Sequence, residues 1–135
     1  MEFHDQNGLH YNLPGGGVEQ LETIHDAVKR EAKEEADVEV EVGDLAFVYE
    51  YAPHRNNYKY GDIHSLSLYF SCKRHHDTKA QLPKNPDPNQ TGIKWIPLKE
   101  LDTIVLYPNI KKEILNYLQK QTHIKLIEEE HLLSQ

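Results

Sequence analysis

Residues 13–38 read LPGGGVEQLETIHDAVKREAKEEADV, and this stretch constrains the fold more than any other part of the chain. Its consecutive glycines predict a tight backbone turn, and the segment after them, Thr23–Ala36, has the periodicity of an amphipathic helix. At about 100° per residue, one stripe of that helix carries Ile24, Ala27 and Val28 and continues onto Glu31 and Glu35, with Glu34 beside them. The stripe that is expected to face the core therefore becomes acidic halfway along the helix.

These carboxylates are electrostatically unfavourable unless a positive charge lies near them. They occupy the C-terminal half of the helix, where the macrodipole disfavours an anion by up to about 1 kcal/mol, and Glu31 and Glu35 repel each other as an i,i+4 pair. Lys29 and Lys33 lie on the opposite face, and we expect Arg30 to satisfy at most one or two of the carboxylates. Hard oxygen ligands favour Mg²⁺ or Mn²⁺ as the missing charge, and a glutamate-rich surface helix is the alternative.

The glycines support the metal interpretation, because a backbone without Cβ atoms lets carbonyl oxygens or amides approach a metal ion or a phosphate. They match neither the phosphate-binding pattern G-x-x-x-x-G-K-[ST] nor the dinucleotide-binding pattern G-x-G-x-x-G. The sequence thus gives little support to a nucleotide-binding loop of either kind.

The length of 135 residues predicts one compact domain, residues 1–135. A net charge of −7 argues against nucleic acid as a partner. No apolar run approaches the roughly 20 residues that span a bilayer, and residues 1–10 show no signal peptide, so we expect no membrane association and a cytoplasmic location. Cys72, within a predicted strand, is expected to be a small core residue.

The remaining periodicity predicts strands and helices in an order that favours an α/β class, with a sheet packed between helices. The predicted strands cover residues 9–13, 38–42, 45–52, 64–72 and 92–98. A short turn or helix is expected at 98–104, and the type of the segment 122–135 stays open. Residues 109–121 predict an amphipathic helix whose apolar side carries Ile110, Ile114, Leu115 and Leu118.

Residues 16–38 resemble the Nudix box, G-x5-E-x7-R-E-U-x-E-E-x-G-U, in which U is a bulky apolar residue. The matching positions are Gly16, Glu22, Arg30, Glu31, Ala32, Glu34, Glu35 and Val38. The preceding LPGG is also typical of the family. Two positions depart from the pattern: Asp37 stands where a glycine usually ends the helix, and Leu21 stands where a glycine commonly precedes the first glutamate.

The resemblance implies a MutT-like Nudix pyrophosphohydrolase, an α/β/α sandwich with a mixed β-sheet. Such an enzyme cleaves the diphosphate linkage of a nucleoside diphosphate joined to another moiety, with Mg²⁺ or Mn²⁺ as cofactor. By position, Glu31, Glu34, Glu35 and a carbonyl at Gly16 would be metal ligands, with Glu34 or Glu35 acting on the water, and Glu22 and Arg30 would form a structural ion pair. The alternative is a non-catalytic nucleotide-binding or sensing module that retains the fold.

Family members also carry a first long strand for which residues 1–12 leave no room, so a sheet edge is expected to lie open and to favour a homodimer. Candidates for substrate contact are Arg55, Tyr58 and Tyr60, whose charge and aromatic rings suit a phosphate and a base. Candidates for a further ligand or base are Glu50, Asp87 and Gln90. Pro53 lies near a proline that marks some ADP-ribose-cleaving members, although we favour a strand terminator, and we expect Trp95 to pack in the core.

Overall fold

The computed structural model describes residues 1–119 and 124–134, and its helices and strands confirm a mixed α/β fold. The chain forms two compact units, one made of Met1–Gly43 with Cys72–Tyr107 and the other of Asp44–Ser71 with Pro108–Gln135. No helix in the described part of the chain is long and apolar enough to cross a membrane. The elements in chain order are β1 (Glu2–Asp5), β2 (Gly8–Tyr11), α1 (Ile24–Ala36), β3 (Val40–Tyr51), β4 (Ser65–Arg74), β5 (Gln90–Gly92), α2 (Lys111–Leu118) and β6 (Lys125–Glu128).

The first unit contains a three-stranded sheet in the order β2-β1-β5. Strands β1 and β2 form an antiparallel hairpin in which Asp5 pairs with Gly8, and Gly8 has the positive φ of 83° that this tight turn requires. The Asp5 side chain stabilises the turn by accepting the Asn7 N–H at 2.7 Å. Strand β5 pairs antiparallel with the other edge of β1.

Helix α1 follows the glycine stretch and packs through small residues. Its buried residues are Ala27, Ala32 and Ala36, and the last two contact Val38 in an apolar cluster. The buried stripe thus runs along the alanines, and Ile24, which was predicted to lie on it, is 43% exposed. That part of the prediction is wrong because the face that the helix buries is narrower than the predicted stripe and is filled by the small alanine side chains.

The second sheet has the order β4-β3-β6, and β3 runs parallel to β6. The two separate strands predicted at 38–42 and 45–52 form the single twelve-residue strand β3. Its aromatic residues Phe47, Tyr49 and Tyr51 alternate and are buried, and the Phe47 ring stacks on that of Tyr69 at 4.9 Å. The sheet prediction is therefore corrected from one sheet to two.

Three further expectations differ from the structure. The strand predicted at 92–98 is wrong, since β5 ends at Gly92 and a 3₁₀-helix begins at Leu98. Trp95, expected in the core, is 62% exposed, with the guanidinium of Arg74 over its ring at 5.1 Å. Cys72 is exposed and not a core residue.

The C-terminal part of the chain is described except for residues 120–123 and 135. Helix α2 spans Lys111–Leu118, and Ile110, directly before it, is the most deeply buried large side chain among the described residues at 1% exposure. Leu118 is 49% exposed, so the predicted apolar side does not extend to the end of α2. Within the segment 122–135 the described residues form β6 and a 3₁₀-helix at Glu129–His131, and the predicted helix beyond Gln119 lies outside the described residues.

Candidate active site

The candidate site lies in the first unit, where α1 carries three glutamates in its C-terminal half. Thr23 fixes the start of the helix through a reciprocal capping box, in which its hydroxyl accepts the Asp26 N–H at 3.1 Å and the Asp26 carboxylate accepts the Thr23 N–H at 3.0 Å. These hydrogen bonds, first the one from the Thr23 backbone, lower the pKa of Asp26. A fixed start sets the rotation of the helix, and thereby the direction of every side chain that follows.

Arg30 is the centre of the contacts around the acidic residues. Its Nε and Nη2 donate to both carboxylate oxygens of Glu22 at 3.0 and 2.8 Å, and Nη2 also donates to the Gly17 carbonyl at 2.9 Å. Its Nη1 donates to Glu31 at 2.8 Å and to Glu34 at 3.1 Å. Arg30 thus donates hydrogen bonds to three carboxylates and not the one or two expected, because one guanidinium offers five donors and all are engaged. A fourth carboxylate, that of Glu19, lies 3.9 Å from Nη1.

The hydrogen bonds between Arg30 and the glutamates favour the charged form of each group. The pKa of Arg30 is raised, first by the hydrogen bonds that it donates to Glu22 and then by the one that it donates to Glu31. Arg30 in turn lowers the pKa of Glu22, and the Glu19 N–H, which donates to Glu22 at 2.7 Å, lowers it further. Glu22 and Arg30 therefore hold each other in their charged forms.

The glycine segment lies against the same carboxylates. The Gly15 N–H donates to Glu35 Oε2 at 2.8 Å. A Cβ atom on Gly16 would overlap the Glu31 carboxylate, so glycine at this position lets the end of the Glu31 side chain lie against the loop backbone. The Gly17 carbonyl, which accepts a hydrogen bond from Arg30, was not predicted as part of the site, and the run of three glycines was its only signal in the sequence.

Glu35 is less favourably placed as an anion than its neighbours. Burial is the largest cause that raises the pKa of Glu35, and the negative charges of Glu31 and Asp87 raise it further against the lowering effect of the Gly15 N–H. Asp87 comes from the segment before β5 and is tied to the helix through Gln90, whose side chain is buried. The structure thus brings Asp87 and Gln90, but not Glu50, into the unit that holds the box glutamates.

The donor set has the chemistry that a hard divalent cation requires. Carboxylates and backbone carbonyls are the oxygen donors that such an ion prefers, and no lysine contacts Glu31 or Glu35 among the described hydrogen bonds and ion pairs. Within residues 1–119 and 124–134, however, no three His, Cys, Asp or Glu side chains lie close enough together to coordinate a metal ion. Arg30 holds Glu31 and Glu34 instead, with their side chains 12% and 58% exposed.

The candidate substrate residues lie in the second unit. Arg55 donates from Nε and Nη2 to Glu130 at 2.9 and 3.0 Å, so its guanidinium is paired with a carboxylate. Tyr58 is 60% exposed, and Tyr60 packs its ring against Tyr51 at 5.6 Å. A cavity of 320 Å³ in this unit is lined by Glu50, Ala52, His54, Arg55, Asn56, His64 and Glu128–Glu130, with His64 and Glu50 in contact at 2.7 Å.

Comparison with known proteins decides the family. The model of the NUDIX domain matches residues 2–119, which is most of the chain. The chain belongs to the Nudix family. The fold is also that of a solved Nudix structure, an ADP-ribose pyrophosphatase from Streptococcus suis, with a TM-score of 0.56 and 20% identity over 94% of this chain and 87% of that one. No curated protein matches this chain.

The two departures from the Nudix pattern share one backbone conformation. Leu21 has a φ of 70° and Asp37 a φ of 50°, and both are positions where the pattern usually has glycine. Asp37 ends α1 in the left-handed region with its N–H directed to the carbonyls of Ala32 and Lys33. The left-handed conformation is therefore kept at both positions, although neither residue is glycine.

Proposed function

We propose that this Nudix protein is a pyrophosphohydrolase that uses Mg²⁺ or Mn²⁺ to hydrolyse a diphosphate linkage in a nucleoside diphosphate derivative. In this reaction water adds to one phosphorus, the bridging P–O bond breaks, and two phosphate-bearing products leave. The observation that carries the proposal is the contact of Glu31 and Glu35 with the Gly15–Gly16 backbone. That contact holds the Glu31 and Glu35 side chains against the glycine segment.

Glu31, Glu34, Glu35 and the Gly16 carbonyl are the groups that would hold the metal. A bound divalent ion neutralises phosphate charge and lowers the pKa of a bound water. Glu34 and Glu35 are the candidates for accepting the proton of the attacking water. Glu35 is the better oriented of the two, because the Gly15 N–H fixes one of its oxygens and leaves the other available.

The contacts of Arg30 divide in a way that suits this role. Only Nη1 contacts Glu31 and Glu34, whereas Nε and Nη2 contact Glu22 and Gly17. If Glu31 and Glu34 turn toward a cation, Arg30 therefore loses the two hydrogen bonds of Nη1 and keeps the three of Nε and Nη2. We infer that Glu22 and Arg30 form the structural ion pair of the box, which keeps the glycine loop in place while the other glutamates exchange partners.

The substrate is proposed to be a nucleotide derivative, and ADP-ribose is the first compound to test because the Streptococcus suis protein of the same fold is an ADP-ribose pyrophosphatase. Arg55, Tyr58 and Tyr60 remain the candidate substrate contacts. Arg55 would have to exchange Glu130 for a phosphate, which makes its assignment conditional on that exchange. A homodimer remains a prediction.

The deciding experiment is hydrolysis by the purified chain of ADP-ribose, nucleoside triphosphates, dinucleoside polyphosphates and nucleotide sugars, with Mg²⁺ or Mn²⁺ and products identified by mass. Glu35→Gln is the test variant, since glutamine keeps the size and can still accept the Gly15 N–H. Gln6→Ala, a change in the exposed hairpin turn, is the control. Cleavage that Glu35→Gln abolishes and Gln6→Ala retains would establish the enzyme, whereas binding of a nucleotide without turnover would favour the non-catalytic module.

A further inference from the structure

Strand β4 forms a long edge of the second sheet. In the order β4-β3-β6, β4 has one neighbour among the described strands. It spans ten residues, Ser65–Arg74, and residues 65–72 contain neither a charged side chain nor a proline. An edge strand of this kind presents backbone N–H and C=O groups to which another strand can pair.

The other edge strands described in the structure are much shorter. Strands β2 and β6 have four residues each, and β5 has three. Short edge strands, charged side chains and prolines are the usual means by which proteins prevent pairing between sheet edges. Since β4 has none of these along residues 65–72, it is the described edge that most favours pairing with a further strand.

One face of β4 also exposes apolar side chains. Side chains alternate along a strand, so Leu66, Leu68 and Phe70 lie on the same face of the sheet. Leu66 is 61% exposed and Leu68 is 40% exposed. Tyr69 lies on the opposite face, where its ring stacks on that of Phe47 in β3. The packing within this sheet therefore uses the Tyr69 face and leaves two leucines exposed on the other.

The sequence of β4 is complementary to itself when two copies run antiparallel. Paired residues must point to the same face, so a two-fold axis perpendicular to the sheet has to pass between a residue and its own copy. With that residue at Leu68, Leu66 lies opposite Phe70 of the second copy, and the exposed Arg74 lies opposite the exposed Asp62. An axis at Phe70 would instead place Leu66 opposite the charged Arg74.

We propose that two copies of this chain pair through β4, antiparallel and about a two-fold axis at Leu68, so that their second sheets form one continuous sheet. Leu66, Leu68 and Phe70 of both copies then form one apolar surface of cross-strand pairs. Arg74 of each copy lies near Asp62 of the other, at the two ends of the paired strands. This inference names the strand and the register of the predicted homodimer, and it does not depend on the proposed hydrolase activity.

Sedimentation equilibrium of the full chain tests the association. The wild type should show a monomer–dimer equilibrium that depends on concentration. Leu68→Lys places two ammonium groups opposite each other at the axis, so it should raise the dimer dissociation constant at least about tenfold. Leu133→Lys, at a leucine that is 77% exposed and lies outside β4, is the matched control and should leave the constant unchanged. A wild type that stays monomeric up to about 1 mM, or an equal effect of both substitutions, would overturn the proposal.

Cysteine cross-linking tests the register. In a Cys72→Ser background, Leu68→Cys places two thiols opposite each other, with Cα atoms about 4.5–5.5 Å apart, so oxidation should give a disulfide-linked dimer. The two copies of Cys72 would lie about 27 Å apart, so the oxidised wild type should give no such dimer. Cross-linking through Cys72, or none through Leu68→Cys in a protein that sediments as a dimer, would show that the register is wrong.

The charges at the strand ends give a second measure of the register. Asp62→Lys should raise the dimer dissociation constant about threefold to tenfold, and Arg74→Glu in the same chain should restore it. Both effects should become smaller at high salt, because the two side chains are exposed. Losses that simply add in the double variant would contradict the pairing of Asp62 with Arg74.

Discussion

Replacing Gly16 with alanine tests the contact between the glycine loop and the box helix. A Cβ atom at Gly16 would overlap the Glu31 carboxylate, whereas a Cβ at Gly15 or Gly17 would meet no atom within 4 Å. None of these three glycines has a positive φ, so the backbone accepts alanine at each of them. Gly15→Ala and Gly17→Ala are therefore matched controls that differ from Gly16→Ala only in the space around the new methyl group.

The expected change in the free energy of unfolding depends on the hydrogen bond that Glu31 loses. To admit the methyl group, its carboxylate has to move, and we expect the move to break its hydrogen bond with Nη1 of Arg30, now at 2.8 Å. A hydrogen bond between charged groups contributes about 1.5–3 kcal/mol, and a compatible glycine-to-alanine change returns about 0.4–1 kcal/mol by restricting the unfolded chain. We expect Gly16→Ala to lower the free energy of unfolding by about 1–2 kcal/mol, and each control to raise it by up to about 1 kcal/mol.

Thermal and urea unfolding of the metal-free proteins provide the assay. The expected loss corresponds to a Tm lower by about 3–8 °C for Gly16→Ala. Titration with Mn²⁺ should in addition show binding weakened at least about tenfold, because the displaced carboxylate is a proposed ligand. If Gly16→Ala unfolds at the same temperature as Gly17→Ala, Glu31 does not lie against the loop and the reasoning fails.

The other predictions concern Glu35, the left-handed positions and Arg55. Burial raises the pKa of Glu35, so its contribution to stability is present below its pKa in the unfolded chain and is lost as the pH rises through its pKa in the folded protein. The metal-free wild type should therefore lose stability toward neutral pH relative to Glu35→Gln, which urea unfolding between pH 4 and 8 would measure. Glu35→Gln should also weaken Mn²⁺ binding. Leu21→Gly should stabilise the chain by about 0.5 kcal/mol in the same assay, and Asp37→Gly should change it less, because Asp37 loses an ion pair. Glu130→Gln should leave the Tm almost unchanged, because the pair of Glu130 with Arg55 lies at the surface, and, if Arg55 binds a substrate phosphate, should lower KM for the substrate identified.

The helix of the box was predictable because its signals are local. Thr23, the apolar periodicity and the crowded glutamates all lie within one stretch of sequence, and the observed bounds of α1, Ile24–Ala36, agree with them. Strand β3 shows the limit of such signals. Gly43 and Asp44 read as a break between two strands, yet the Asp44 N–H is bound by the hydroxyl of Ser71 at 3.0 Å, a partner 27 residues away.

The errors at Trp95 and Arg30 have a similar origin. Trp95 has a large apolar side chain and was predicted to be buried. The Arg74 guanidinium lies over one face of its ring, and this contact stabilises the ring at an exposed position. For Arg30 the sequence indicates a helical neighbour at Glu34, whereas the contacts with Glu22 and Gly17 form only because the glycine loop folds back onto the helix. The packing of the glycine loop on the helix and the position of Arg74 over the Trp95 ring are tertiary contacts, and neither produces a periodic pattern in the sequence.

Leu21 and Asp37 show what a glycine in the family pattern stands for. Both keep the left-handed backbone, which costs a residue with a Cβ atom roughly 1–2 kcal/mol, less for aspartate. Asp37 offsets part of this cost through Lys33, whose Nζ lies 2.7 Å from its carboxylate, and through a hydrogen bond from Gln81. Leu21 is fully exposed, and no described contact offsets its conformation. The hydrogen bonds of Arg30 with Glu22 and Gly17 therefore hold the loop in this conformation, without the conformational freedom of a glycine. A substitution that removes these hydrogen bonds should let Leu21 leave the left-handed conformation before α1 itself unfolds.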